Sequence, residues 1–195
     1  TFIDLYNKDL IYEGTQLTSY CPGCRTTIAD SEVEYEDKST MLHEVEFKVG
    51  KEKVTIATTR PELLCTAGMV IYHPDDKRYT KLEGKKVVVP IYNLEIPIKP
   101  HPMADLKFGT GLVFMSKSAG DQSAIRFLRE MNIKPVMAID ERGRMKKIGG
   151  FLEGLKAKEA REKMIEELKS KGVLKKQQQI MHRTPICERS KHEIE

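Results

Sequence analysis

The run Thr58-Thr59-Arg60-Pro61-Glu62 gathers two hydroxyls, a guanidinium and a carboxylate where a strand gives way to the apolar pair Leu63-Leu64. Taken by itself it predicts a helix start: Thr59 caps the exposed amides, Glu62 reaches back, and Pro61 sits in the first turn, where its missing N–H is harmless. The same groups suit a carboxylate, a phosphate or a developing oxyanion. Further along, Phe108-Gly109-Thr110-Gly111 enters a strand through two glycines, which lets backbone approach a ligand closely. Beyond that strand lie Ser116 and then Gly120-Asp121, where Asp121 is either the N-cap of the next helix or a ligand group.

Cys21-Pro22-Gly23-Cys24 has the two-residue spacing of a zinc knuckle, whose tetrahedral site needs four ligands. The distal counterpart is Cys187-Glu188-Arg189-Ser190, with serine where a second cysteine is expected, so that His182 or His192 would have to substitute. A redox reading of the pair calls for a thioredoxin-like βαβ setting that the flanking sequence lacks. His43, His73 and His101 stand at no metal-ligand spacing and read as surface or loop histidines. No Ser/His/Asp or Cys/His set is suggested by order or context.

The elements that must position these groups are mostly strands. Alternation in Leu42–Phe47 and Val54–Ala57 predicts a hairpin turning at 49–52. Further β signals are 31–35, 69–72, 87–92, 96–98, 112–115 and 136–139. One helix is expected from near Asp121 to Asn132 and another from about Leu155 to Ser170, with Ala157, Ala160, Met164, Ile165 and Leu168 as its buried stripe and Gly172 at its stop. Phe2, Leu5 and Tyr6 are spaced as in a short helix. Interleaved strands and helices, with Pro90, Pro97, Pro100 and Pro102 breaking strand ends, argue for an α+β chain with a mixed sheet or partial barrel at its centre. Neither GxGxxG nor Walker A is present.

With 195 residues, 39% hydrophobic and 32% charged, the chain has the composition of a single globular domain or one domain with a small appendage. No apolar run approaches the roughly 18 residues that a membrane-crossing helix needs. Lys+Arg number 33 against 29 Asp+Glu, a net charge of +4 that permits a nucleic-acid partner without requiring one. Four cysteines in a Lys/Glu-rich chain favour a reducing compartment, the cytoplasm by default. A start at Thr1 with neither Met nor a signal-peptide pattern suggests a segment of a longer chain.

Together, Thr58–Glu62, His73-Pro74-Asp75-Asp76-Lys77-Arg78-Tyr79, Leu82–Val87, Phe108–Gly111 and Ala138–Met145 form an ordered series. This series resembles the editing (connective-peptide) insertion of class I aminoacyl-tRNA synthetases. The likeness is greatest to the archaeal type of the valyl branch, supported by Thr26–Tyr35 and by Ile186–Ser190. An isoleucyl type typically carries Thr-Pro-Trp where this chain has Arg60-Pro61-Glu62; a leucyl type shares more of the motif.

The resemblance implies a β-barrel-like core with peripheral helices (39–177), an N-terminal ribbon or connector carrying the CxxC pair (1–38) and a C-terminal one (178–195). The implied activity is hydrolysis of a wrongly attached amino acid from tRNA, threonine in the valyl case. An apolar valine pocket rejects the isosteric hydroxyl of threonine only about 10²-fold, a value belonging to the family and not obtained from this chain. By the resemblance Thr58, Thr59 and Asp121 are catalytic, and Arg60, Glu62, Gly109, Thr110, Gly111, Ser116 and Asp140 bind substrate. The second acid of the family's Asp-x-x-Asp pattern falls on Ala124 and the usual pocket Lys on Phe114, so either the clamp on the substrate ammonium passes to Asp121, Asp140 or Asp105, or substrate range and activity differ from those of the well-known members. The expected partners are the 3′ CCA end of tRNA and the catalytic domain of the parent synthetase, with no membrane. No cofactor is expected for editing; ATP and Mg belong to the full-length synthetase, and zinc at the CxxC remains a lesser alternative. The rival readings are leucyl- or isoleucyl-type editing, and a non-catalytic tRNA-docking module contacting phosphates through Lys85, Lys86, Lys146, Lys147, Lys175 and Lys176.

Overall fold

A computed structural model describes residues 1–13, 17–118 and 122–195. After a one-turn helix α1 (Phe2–Tyr6), the strands β1 (Tyr20–Cys21) and β2 (Thr26–Thr27) form a small hairpin around the CxxC turn. β3 (Val33–Val49) and β4 (Glu52–Thr58) are the expected hairpin, joined through Gly50 in the left-handed region with open space where a Cβ would point. There follow β5 (Ala67–Tyr72), β6 (Lys86–Val88), β7 (Glu95–Pro100) and β8 (Leu112–Ser116). Helices α2 (Gln122–Glu130) and α3 (Ala157–Ser170) precede the last strand, β9 (Leu174–Cys187).

The main sheet runs β4-β8-β5-β7-β6-β3-β9, and β4 pairs back onto β3, so six strands close a ring with β9 attached outside it. β4–β8 and β5–β7 are parallel, and the other pairs are antiparallel. This is the mixed, barrel-like α+β core that strand alternation and interleaved helices call for. Val45, Phe47 and Val49 on β3, Ile56 on β4 and Val70 on β5 point into a core shared with Ala160, Met164 and Leu168 of α3. A second cluster, Met69, Ile71, Met115, Phe127 and Leu128, seats α2 on the opposite face of β5 and β8.

Several elements depart from expectation. The β signal at 136–139 becomes a single bridge, Ile139–Met145, because Asp140 and Arg144 close a tight turn there. The 87–92 run keeps only β6, since Val89 and Asn93 close a turn in which Ile91 and Asn93 both adopt positive φ. Ser31 lies in a 3-10 turn (Asp30–Glu32), and the strand starts only at Val33. The basic run 175–179 belongs to β9, whose register with β3 runs from Cys187 opposite Val33 to Leu174 opposite Val45. This ribbon passes through positions 38 and 177. Gly172 ends α3 at positive φ, as expected of a helix stop.

Candidate functional site

Strand β4 ends at Thr58, and Pro61–Thr66 forms a 3-10 turn whose residues are all buried. Its first residue is flanked by Arg60, not by a capping Thr59: the Arg60 N–H donates to the Thr58 hydroxyl at 3.1 Å. Pro61 occupies the first turn as expected, but Glu62 does not reach back to the backbone. Its carboxylate is fully buried and is claimed instead by two guanidinium groups. Arg60 Nε donates to Glu62 Oε1 at 3.0 Å, and Arg161 of α3 donates Nη2 to Oε1 at 2.9 Å and Nε to Oε2 at 3.1 Å. Charge–charge pairing defeats the local capping box because a buried carboxylate gains more from two guanidiniums than from one amide.

Burial alone would raise the Glu62 carboxyl, but Arg60 and Arg161 hold it below the usual range. Arg60 is engaged on a second side, where Nη2 donates to Glu195 Oε2 at 2.6 Å. Burial lifts the Glu195 carboxyl above the ordinary value, against the pull of Arg60. His43, expected at the surface or in a loop, is buried on β3 directly opposite Thr58, with Nδ1 3.1 Å from Gln177 Nε2. Burial and then Arg161 push its pKa down. His101 is likewise buried, packed edge-on to Phe127. Strand pairing and helix packing place these rings, which sequence spacing alone does not report.

The Phe108–Gly111 turn abuts the same strand. A Cβ on Gly109 would lie 2.6 Å from the Ala57 Cβ, one residue before Thr58, and a Cβ on Gly111 would lie 2.6 Å from Arg78 Nη2. Both glycines have positive φ, so only glycine meets both demands. The Thr110 carbonyl accepts from the Tyr79 hydroxyl at 2.6 Å, and Tyr79 is set in place beside the bidentate Asp76–Arg78 pair. Thr110 lines a cleft of about 340 Å³ with Thr55, Arg78 and Tyr79, among others.

The structure thus brings Thr58, Arg60 and Glu62 into one network and seats Gly109 against the strand that leads to it. Thr59 is half-buried at the strand end. Ser116 closes β8 with its hydroxyl 2.8 Å from that of Thr66, and accepts from the Ser118 N–H at 2.9 Å. Asp140 Oδ1 accepts from the Arg142 and Arg144 N–H groups at 2.9 and 2.8 Å, so its carboxylate shapes the 140–144 turn; the Arg144 amide in particular holds its pKa down. Asp105 similarly accepts from the Lys107 N–H at 2.8 Å. Asp121 lies outside the described residues. The six lysines of the docking reading are all exposed, and Lys86, Lys175 and Lys176 pair with Glu95, Glu46 and Glu44.

At the far end of the ribbon, Cys21, Cys24 and Cys187 place their sulfurs within 4.8 Å of one another. Ser190 fills the fourth corner, its hydroxyl 3.1 Å from the Cys21 sulfur. His192 turns its Nδ1 to the Ser190 carbonyl at 3.0 Å, and His182 lies on β9 beside Thr184. Three converging thiols suit a thiophilic divalent cation, with serine as a weak fourth ligand. Sequence reasoning missed Arg161 and Glu195; each meets Glu62 or Arg60 across 99 or 135 residues of chain, and no local pattern announces such a pairing.

Residues 1–138 match the family described as tRNA synthetases class I (I, L, M and V). The chain is 48% identical over its whole length to valine–tRNA ligase of Nanoarchaeum equitans, of which it covers 26%. It is 44% identical to that of Pyrobaculum aerophilum and 37% to that of Methanocaldococcus jannaschii, covering all of itself and 24% and 22% of those relatives. It therefore spans about a quarter of the length of these curated relatives. On the family match and on identity along its full length to archaeal valine–tRNA ligases, the chain belongs to the class I tRNA synthetases.

Proposed function

We propose that this chain is the editing unit of a valine–tRNA ligase and hydrolyses the ester of threonyl-tRNA(Val). The observation that carries the reading is the Thr58–Arg60–Glu62 network at the end of β4, with the Gly109 turn packed on the same strand one residue earlier. The order of motifs along the chain supports it. Residues 39–177 would be the working core and 1–38 and 178–195 the connectors to the parent enzyme, which would supply the aminoacylation site.

An aminoacyl ester is already activated, so oriented water and a stabilised oxyanion suffice without a covalent nucleophile. In this scheme Thr58 and Thr59 supply hydroxyls at the strand end, and Asp121 completes the catalytic set. The Arg60 guanidinium, held by Glu62, faces the oxyanion that develops on the ester carbonyl, or else donates to the terminal adenosine. Gly109, Thr110 and Gly111 let backbone lie against the CCA end, while Ser116 meets the substrate hydroxyl and Asp140 borders the pocket. Because threonine differs from valine by a hydroxyl, a site that hydrogen-bonds that hydroxyl can sort the two where an apolar pocket cannot.

The test is deacylation of Thr-tRNA(Val) by this chain in excess over tRNA, beside Val- and Ile-charged tRNAs. Selective release of threonine is expected, reduced in Thr59→Ala. Release no faster than in buffer, with tRNA still bound, would replace hydrolysis by the docking role.

A further inference from the structure

Arg60 is held from two independent directions. From behind, Arg161 on α3 grips both oxygens of Glu62, and Glu62 in turn accepts from Arg60 Nε. One hydrogen bond at Nε leaves a guanidinium free to swing about its stem. A second at the far nitrogen fixes its plane, and Glu195 Oε2 supplies it at Nη2, 2.6 Å away. The charges balance as well: Arg60 and Arg161 face Glu62 and Glu195, two against two.

Glu195 does not come from the barrel. It belongs to the lobe that carries the three thiols, and its backbone is bonded reciprocally to Tyr20, beside Cys21, at 3.0 and 3.2 Å. Ile194 N donates to the Pro185 carbonyl, and the Cys187 N–H to that of His192, which ties the same stretch to β9. The lobe rests on the barrel where the Tyr20 hydroxyl donates to the Glu141 carbonyl at 3.0 Å, and a Cβ on Gly143 would lie 3.3 Å from Pro22. Such contacts at both ends set where the Glu195 carboxylate can stand.

We propose that Glu195 is a positioning residue for Arg60, which makes the thiol-bearing lobe a working part of the site at the end of β4. The proposal deepens the editing assignment and rests on it for its effect on rate. It does not rest on it for the placement of the guanidinium.

Two readouts separate these. In spectra of the chain labelled with ¹⁵N-arginine, the Arg60 Nη signals, assigned by their loss in Arg60→Lys, are expected to be resolved because rotation is hindered. They should average together in Glu195→Ala and stay partly resolved in Glu195→Gln, whose side-chain oxygen still accepts. Cys24→Ser, which alters the lobe and does not touch Arg60, should move the same signals. In threonyl-tRNA deacylation, Glu195→Ala should lower kcat/KM about tenfold, the scale of one hydrogen bond to a charged group. Glu195→Gln should recover part of that loss, and on an Arg60→Ala background neither change should matter further.

Unchanged Arg60 signals in Glu195→Ala would overturn the proposal whether or not the chain is active. Equal losses on both backgrounds would show that Glu195 acts elsewhere. Signals that respond to Glu195→Ala but not to Cys24→Ser would remove the lobe from the claim. A chain that shows the signal changes yet hydrolyses nothing would count against the editing assignment alone.

Discussion

Glu62→Gln is the substitution on which the site's energetics turn. The side chain is fully buried and its two oxygens accept three guanidinium N–H bonds. The amide keeps the shape but removes the charge, and it turns an N–H₂ toward an arginine that can only donate. Removing one partner of a buried pair costs about 3–5 kcal/mol. Arg60 and Arg161 keep 26% and 25% of their side-chain surface in water, and Glu195 still faces Arg60, so the low end applies, about 3 kcal/mol. For a chain of this size that lowers Tm by about 6–12 °C. Urea unfolding should show a lower midpoint at unchanged slope.

The same residue sets an acid dependence. Its folded pKa is depressed, so its contribution is fully present above the unfolded value of about 4.3 and is lost as pH falls through the folded value. The groups facing it are Arg60, Arg161, His43 and Glu195, of which Glu195, with a raised pKa, works in the opposite sense. Wild type should therefore lose stability below about pH 4 more steeply than Glu62→Gln does. A loss under about 1 kcal/mol at pH 7, or identical acid limbs, would refute the view that this carboxylate is ionised and holds both arginines.

Gly109→Ala should cost about 2–3 kcal/mol in urea unfolding, since it adds a Cβ 2.6 Å from that of Ala57 at positive φ. Gly50→Ala, at similar φ but in open space, should cost only about 1 kcal/mol. Tyr79→Phe should lose about 1 kcal/mol with the bond to the Thr110 carbonyl, and near-equal midpoints would show that this bond does not hold the turn. Cobalt(II) added to the reduced chain should give a thiolate-to-metal absorption saturating at one equivalent, abolished in Cys24→Ser; no band at all would leave the trio as three packed thiols.

Much of the barrel was legible because strands announce themselves locally. The alternation of Val45, Phe47 and Val49 is the inward face of β3, and Gly50 and Gly172 end their elements at positive φ, as their neighbours suggest. The signals that misled were equally local. Val136–Ile139 has the composition of a strand, yet the turn made by Asp140 draws it out of the sheet. Thr59 and Glu62 have the spacing of a capping box, yet Glu62 is drawn to Arg161.

Side-chain period, turn residues and the order of short motifs are properties of neighbouring residues, so the sequence by itself settled the class of fold, the main hairpin, both longer helices and the family. Which carboxylate meets which guanidinium and why His43 is buried were decided by tertiary structure alone, whereas the meeting of Cys187 with Cys21 and Cys24 was already suggested by their spacing. The physical reason is that charge pairing and burial act through space. Arg60 and Glu195 are 135 residues apart along the chain and 2.6 Å apart in the fold, and only the closed ring of strands with its folded-back lobe makes them neighbours.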